Sequence, residues 1–238
     1  MSEVEWWEFE SAADLAEQAA GDIGFVIASA IEAHGGARLA LPGRGLPAAL
    51  YDALLDQEID WARVTIVPTD DLLVPPDDPR SGFARLEAVF AAEGADIVPL
   101  VAERVLGDYR EAGRLADERL AALDWPLDLV CLAVDDEGHP ASLVPGPDLE
   151  RALSGPRGRR AVGLHPDPMP ASAPADRVTL TADALSSART VMIVAVGATS
   201  RMLIEEAARE GPLSARPVGR LLAELDADVD LYWCPAPN

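Results

Sequence analysis

The chain has 238 residues, 49% of them hydrophobic and 25% charged, enough apolar material to bury a core and so incompatible with wholesale disorder. Its 19 Lys and Arg against 41 Asp and Glu give a formal net charge of −22. A field of that sign repels polyphosphate and anionic membrane surfaces, which argues against nucleic-acid or membrane binding over a broad basic face.

The first segment, MSEVEWWEFESAADL, is acidic and lacks a basic start followed by an apolar run, so no signal peptide is expected. No apolar stretch reaches membrane-spanning length, and a soluble, cytoplasmic protein is expected. Ser11 can cap a helix that carries Leu15, Ala19, Ile23, Val26, Ile27 and Ala30 on one face and ends at Gly35-Gly36. An apolar run at 38–41 stops at Pro42-Gly43, and a helix is expected over 47–56. A second run at 64–67 ends at Thr69-Asp70-Asp71. Residues 81–93 read as a helix and 96–101 as a short strand. Residues 107–123 read as a helix with Leu115, Leu120 and Leu123 inside. The most apolar stretch, 127–134, reads as a strand buried on both faces. Strands at 160–164, 177–180 and 190–196 follow, then helices at 200–209 and 217–225 and a strand at 229–234. Cys131 and Cys234 fall in such strands and are expected as buried free thiols; two cysteines are too few for a disulfide scaffold or a zinc ribbon. This alternation predicts a mostly parallel sheet with helices on both faces, in a single domain over residues 1–238.

Ligands of such sheets bind outside the carboxyl ends of the strands. After the first run, the turn Gly43-Arg44-Gly45-Leu46-Pro47 can cradle an anion with its amides and Arg44, or be a plain tight turn. After the second, Asp70 and Asp71 can orient a water or a sugar hydroxyl, or simply cap a helix. The buried strand empties into Asp135-Asp136-Glu137-Gly138-His139. A histidine behind three acids suits a general base, because a carboxylate can fix its tautomer and stabilise the imidazolium. Of the three histidines, His34 at a helix end and His165 in the Pro-rich loop 165–174 read as structural or surface residues. No G-x-S-x-G elbow, Walker loop, G-x-G-x-x-G or H-E-x-x-H pattern occurs.

Taken in order, these segments resemble the 6-phosphogluconolactonase family. Gly43 to Pro47 sits where that family has G-G-S-T-P. Asp70 to Pro75 and Ser81-Gly82-Phe83 sit where it has D-E-R-x-V-P and S-N-Y. Glu137 to Gly146, E-G-H-P-A-S-L-V-P-G, is similar to D-G-H-T-A-S-L-F-P-G, and Arg177 to Thr181 to R-x-T-L-T. The departures are specific. The family Arg after the acidic pair is Leu72, the family Lys falls on Ser200, and the G-M-G before the acidic turn is Ala133-Val134-Asp135. Asp117 to Arg119 copies the D-E-R triplet, but inside a helix and without the following V-P.

The resemblance implies a Rossmann-like three-layer αβα sandwich and hydrolysis of 6-phosphogluconolactone in the pentose phosphate or Entner–Doudoroff route. It implies His139 as base, with Glu137 and Asp70 or Asp71 orienting the histidine or the sugar. Gly43, Arg44, Gly45, Arg177 and Arg201 would hold the phosphate in place of the missing Arg and Lys. No cofactor and no metal is expected. The expected partner is a small sugar lactone, and the chain a monomer or weak homodimer. A lactonase for another, unphosphorylated lactone, a silent sugar-acid binder, and an isomerase or deaminase of the same fold are the alternatives.

Overall fold

The computed structural model describes residues 4–102, 105–135, 137–171, 173–225 and 229–236. Seven strands form one parallel sheet: β1 (Val4–Glu8), β2 (Ala37–Leu41), β3 (Val64–Pro68), β5 (Asp96–Ile97), β6 (Leu129–Ala133), β9 (Thr190–Val196) and β10 (Val229–Cys234), in the order β1-β10-β9-β6-β2-β3-β5. A second sheet of three antiparallel strands is made by β4 (Asp70–Leu72), β8 (Arg177–Leu180) and β7 (Ala161–Leu164), in the order β4-β8-β7.

The helices are α1 (Ala12–His34), α2 (Ala48–Leu55), α3 (Gly82–Phe90), α4 (Tyr109–Leu120), α5 (Leu149–Leu153), α6 (Ala182–Ser186), α7 (Ala198–Glu210) and α8 (Pro217–Glu224). Helix α1 starts and stops where its sequence says. The Ser11 hydroxyl accepts the Asp14 amide, and Gly35 ends the helix at φ 87°, in the left-handed region. None of these helices is long and apolar enough to cross a membrane.

The two-residue period of the central strands sorts their side chains into two cores. Leu39, Leu41, Leu129 and Cys131 pack under α1 with Leu15, Ile23 and Ile27. Ala40, Val130 and Leu132 face the other side, with Ala112, Ala116 and Leu120 of α4 and Leu221 of α8. β6 is therefore covered on both faces, as its unbroken apolar run requires. Both cysteines are free and buried, and burial pushes the Cys131 thiol up to about 12.

Three expectations change. The strands at 160–164 and 177–180 exist, but antiparallel and in the smaller sheet with β4. The strand expected over 96–101 shrinks to Asp96–Ile97, and Pro99, without an N–H, cannot extend the ladder. The inner face of α4 is built from Ala112, Gly113, Ala116 and Leu120, while Leu115 and Leu123 are only partly buried.

That small-residue face lets α4 lie directly on β7. A Cβ on Gly113 would sit 2.0 Å from the Gly163 nitrogen, and one on Gly163 1.7 Å from the Tyr109 carbonyl oxygen. Gly113→Ala should therefore cost about 1–3 kcal/mol through overpacking, a drop in Tm of roughly 2–12 °C for a chain of this size. Gly21→Ala, on α1 with nothing within 4 Å of the new Cβ, should raise Tm slightly because alanine is the better helix former. Thermal unfolding of the two variants checks the contrast.

Candidate active site

The strand order reverses between β2 and β6, and the turns after these two strands face each other across the break. They lie close: a Cβ on Gly45, at φ 87°, would come 2.9 Å from the Ala133 Cβ. In the turn after β6, the Asp135 Oδ1 accepts the backbone N–H of Glu137 at 3.0 Å and of His139 at 2.9 Å. Gly138, at φ 84°, supplies the left-handed residue this tight loop needs. The His139 Nδ1 is 3.1 Å from Asp135 Oδ2 and 3.7 Å from Glu137 Oε2. The His139 side chain is 8% exposed and that of Glu137 81%. Burial alone would push the Asp135 carboxyl up, yet the hydrogen bonds and charge of His139 hold it below its ordinary value. Asp136, the remaining acid of this turn, lies outside the described residues.

Two residues beyond, Ala141 and Ser142 are held at φ 48° and 53°, a conformation that costs non-glycine residues of order 1–3 kcal/mol. The strain is anchored at both ends: the Thr179 hydroxyl donates to the Ala141 carbonyl at 2.6 Å, and the Ser142 hydroxyl to Asp70 Oδ2 at 2.5 Å. Asp70 also accepts the Thr69 hydroxyl at 3.0 Å and Arg44 Nη2 at 3.3 Å. The smaller sheet sets Asp70 opposite Thr179 and Leu72 opposite Arg177, so Asp70 and Arg177 share one face of it.

Arg177 is 4% exposed. Its Nη2 donates to the Ala173 carbonyl at 3.1 Å, while Nε and Nη1 are buried without a partner among the described residues. Burial, with the like charge of Arg44, holds this guanidinium below its ordinary value, and Asp70, Asp135 and Asp176 pull it back up. The turns after β2 and β6 and the edge of the smaller sheet thus bring together an imidazole, one well-anchored carboxylate and two arginines, one of them with two buried N–H groups that have no partner among the described residues.

The family profile described as glucosamine-6-phosphate isomerases/6-phosphogluconolactonase matches residues 10–233. The chain belongs to this family. It is 31% identical over 229 residues to a 6-phosphogluconolactonase of Rhizobium meliloti, covering 95% of this chain and 97% of that one. It is also 31% identical to a 6-phosphogluconolactonase of Pseudomonas putida, covering 96% and 92%. A crystal structure of a 6-phosphogluconolactonase from Shewanella baltica superposes with a TM-score of 0.88 at 26% identity, over 98% of each chain.

Within this family framework, several expected site residues are placed differently. Asp71 is 1% exposed, and its Oδ1 accepts the amides of Gly82 and Leu72, its Oδ2 the Ser81 hydroxyl and the Phe83 amide. It holds the start of α3, and burial raises its carboxyl above the ordinary value; it is a structural acid, not one free to orient water. Glu137 stands too far from the imidazole for a hydrogen bond and points into solvent. Arg201 is turned away: it pairs with Glu8 and Glu205 and packs over the rings of Trp6 and Trp233. Gly43 serves close approach, since a Cβ there would meet the Gly82 Cα at 2.2 Å.

Leu72 lies in the core, and the Ser200 hydroxyl donates back to the carbonyls of Val196 and Gly197, so neither replaces the side chain the family carries there. Asp117 accepts the amides of Arg160 and Ala161, and Arg119 donates to the Pro99 and Leu100 carbonyls, so that triplet is structural. His34 pairs with buried Asp128, and His165 with Asp176 beside the Tyr109 ring. The sequence reading gave no separate role to Asp135, Ser142 or Thr179. For Asp135 the signal was present, an acid four residues before the histidine at a place where the family has glycine.

Asp71→Ala leaves the Gly82 and Phe83 amides without their acceptor at a helix N-terminus. The unfolding free energy should fall by about 1–3 kcal/mol, seen as a lower urea midpoint with an unchanged m value.

Proposed function

We propose that this chain hydrolyses 6-phosphogluconolactone to 6-phosphogluconate, a step of the pentose phosphate and Entner–Doudoroff routes, with His139 as general base. The imidazole nitrogen that faces away from Asp135, Nε2, takes a proton from a water as that water attacks the lactone carbonyl. The tetrahedral intermediate then expels the ring oxygen, which receives the proton back from the imidazolium, leaving a hydroxy acid. An ester carbonyl is electrophilic enough for this attack, so the reaction asks for no cofactor.

The observation that carries the reading is the Arg177 guanidinium, buried with Nε and Nη1 unpartnered beside Asp70 and Arg44. Buried donors are normally satisfied, and a phosphate or polyol oxygen would supply the missing acceptors once a small shift of the loops over Arg177 lets it in. We assign Arg177 and Arg44 to the phosphate, replacing the side chains lost at Leu72 and Ser200, with the amides of Gly43 and Gly45 beside them. Asp70 holds Arg44 in place and faces the sugar hydroxyls. Isomerase or deaminase chemistry needs a second carboxylate free to move protons; Asp71 is tied down by four donors and Asp70 by three. A cytoplasmic enzyme with a small lactone as its partner fits this reading.

The deciding experiment is a pH-stat assay with phosphorylated and unphosphorylated gluconolactone. The phosphorylated lactone should be the better substrate; equal turnover of both would replace this reading with that of a lactonase for uncharged sugars, and no turnover of either would remove it. His139→Gln should lower turnover by about two to four orders of magnitude with an unchanged circular dichroism spectrum.

Arg177→Met should raise the KM for the phosphorylated lactone roughly 10- to 150-fold, the equivalent of about 1.5–3 kcal/mol for a charge-assisted contact. Turnover at saturation should move much less. The same variant should be as stable as the parent or more so, because it removes a buried, under-satisfied cation. A large loss of stability with an unchanged KM would make Arg177 a structural residue instead.

A further inference from the structure

Among the described residues, the turn after β6 brings two carboxylates within 4 Å of the His139 ring, and they are not equivalent. Asp135 Oδ2 lies 3.1 Å from Nδ1, within hydrogen-bond reach, while Glu137 Oε2 lies at 3.7 Å on a side chain that is 81% exposed. The other Asp135 oxygen accepts the backbone amides of Glu137 and of His139 itself. One carboxylate therefore fixes the main chain of the histidine and the orientation of its ring together. The residue that provides it stands where related sequences, by the resemblance above, carry the last glycine of G-M-G. From this geometry we infer that Asp135 is the positioning residue of the reaction, holding His139 as the Nδ1–H tautomer with Nε2 free for water. The inference rests on the base role given to His139.

The chemistry runs in one direction. An ionised carboxylate only accepts, so a hydrogen bond between it and Nδ1 requires the proton to sit on Nδ1. The lone pair is then on Nε2, on the far side of the ring, and this is the atom that can take a proton from water. When it does, the imidazolium that forms remains at hydrogen-bond distance from a negative charge, on a ring that is 8% exposed against a carboxylate side chain that is 54% exposed. Glu137, beyond hydrogen-bond distance, cannot fix the tautomer, and its attraction to the imidazolium at 3.7 Å is screened by the surrounding water.

Asp135→Asn keeps the Oδ1 acceptor, so the turn should survive, but it sets an amide N–H₂ where Oδ2 was. That group donates to Nδ1 and so favours the Nε2–H tautomer, which is useless as a base. We expect kcat to fall about 10- to 1,000-fold with KM changed less than about three-fold, and Glu137→Gln to lose at least ten-fold less than this. In a His139→Gln background, Asp135→Asn should cost less than about two-fold, because a residue that acts through another has nothing left to act on.

Nitrogen-15 spectra of the imidazole should show Nδ1 protonated in the parent and the proton moved toward Nε2 in Asp135→Asn. Should the asparagine variant fail to fold, Asp135→Gly, which restores the family residue, is read the same way for kcat and for non-additivity. Near-parental kcat in a folded Asp135 variant, a full additive loss without His139, or an unmoved tautomer would each overturn the inference. Failure of the lactonase reading is seen separately, as an inactive parent, and the nitrogen spectra still decide whether Asp135 sets the tautomer.

Discussion

The pairing of β2 with β6 is the constraint on which the site depends. The two strands share only a short ladder, Leu39 with Leu129 and Ala40 with Val130, and beyond it their chains part to opposite faces of the sheet. Backbone polar groups at such a parting have no ladder to enter. They must be met by the turns themselves, by caps, or by a ligand. Asp135 meets two of the amides after β6, and Asp71 meets three in the segment that packs against the β2 turn. The near-contact of Gly43 with Gly82 and of Gly45 with Ala133 then sets the separation of the loops. The carboxylates that close the backbone and those that face the cleft are neighbours in sequence because both follow from the same break in the sheet.

All 19 basic residues are arginine; the chain contains no lysine. The missing family lysine at Ser200 is therefore one instance of a chain-wide choice rather than an isolated loss. The choice has a structural consequence. A lysine ammonium is a compact, strongly hydrated charge that loses its proton readily when buried, whereas a guanidinium stays charged and spreads its donors over a planar fork. Arg177 uses that property: it is almost fully buried, is pushed down by burial, and still offers two N–H groups in one plane. A lysine in the same place would leave a less durable charge and fewer directed donors. Elsewhere the arginines are taken up by the large acidic surplus, as Arg201 is by Glu8 and Glu205, which is why a cation near the cleft in sequence is not thereby a cation in the cleft.

Local signals carried most of the fold. Ser11 and Gly35 bound α1 because a cap hydroxyl and a left-handed glycine act within a few residues of themselves, and the unbroken run of β6 can only be a strand covered on both sides. Pairing is not local, and it was less legible. The apolar patterns of β7 and β8 are the same whether they join a parallel or an antiparallel sheet, so nothing in them announces β4 as their partner. The site divides in the same way. His139 stood out by residue type and by its block. The different fates of Asp70 and Asp71 follow from strand alternation, which sends adjacent side chains to opposite faces, but this can be applied only once 70–72 is known to be a strand. Glu137 drew attention because it sits where the family has its acid, while the acid that reaches the imidazole is two residues earlier and displaced by the turn at Gly138.

Asp70 shows how a single carboxylate can fix several loops against one another. Its carboxylate ties together three loops: Arg44 after β2, Thr69 between β3 and β4, and Ser142 after β6. Arg177 shares a face of the smaller sheet with it, and the Asp70 charge offsets part of what burial costs that guanidinium. The left-handed backbone at Ala141 and Ser142 is the local strain that brings the serine hydroxyl onto this carboxylate. The strained serine and the three-way anchored carboxylate belong to one arrangement, in which the same Asp70 that fixes the loops also steadies a buried guanidinium by its charge.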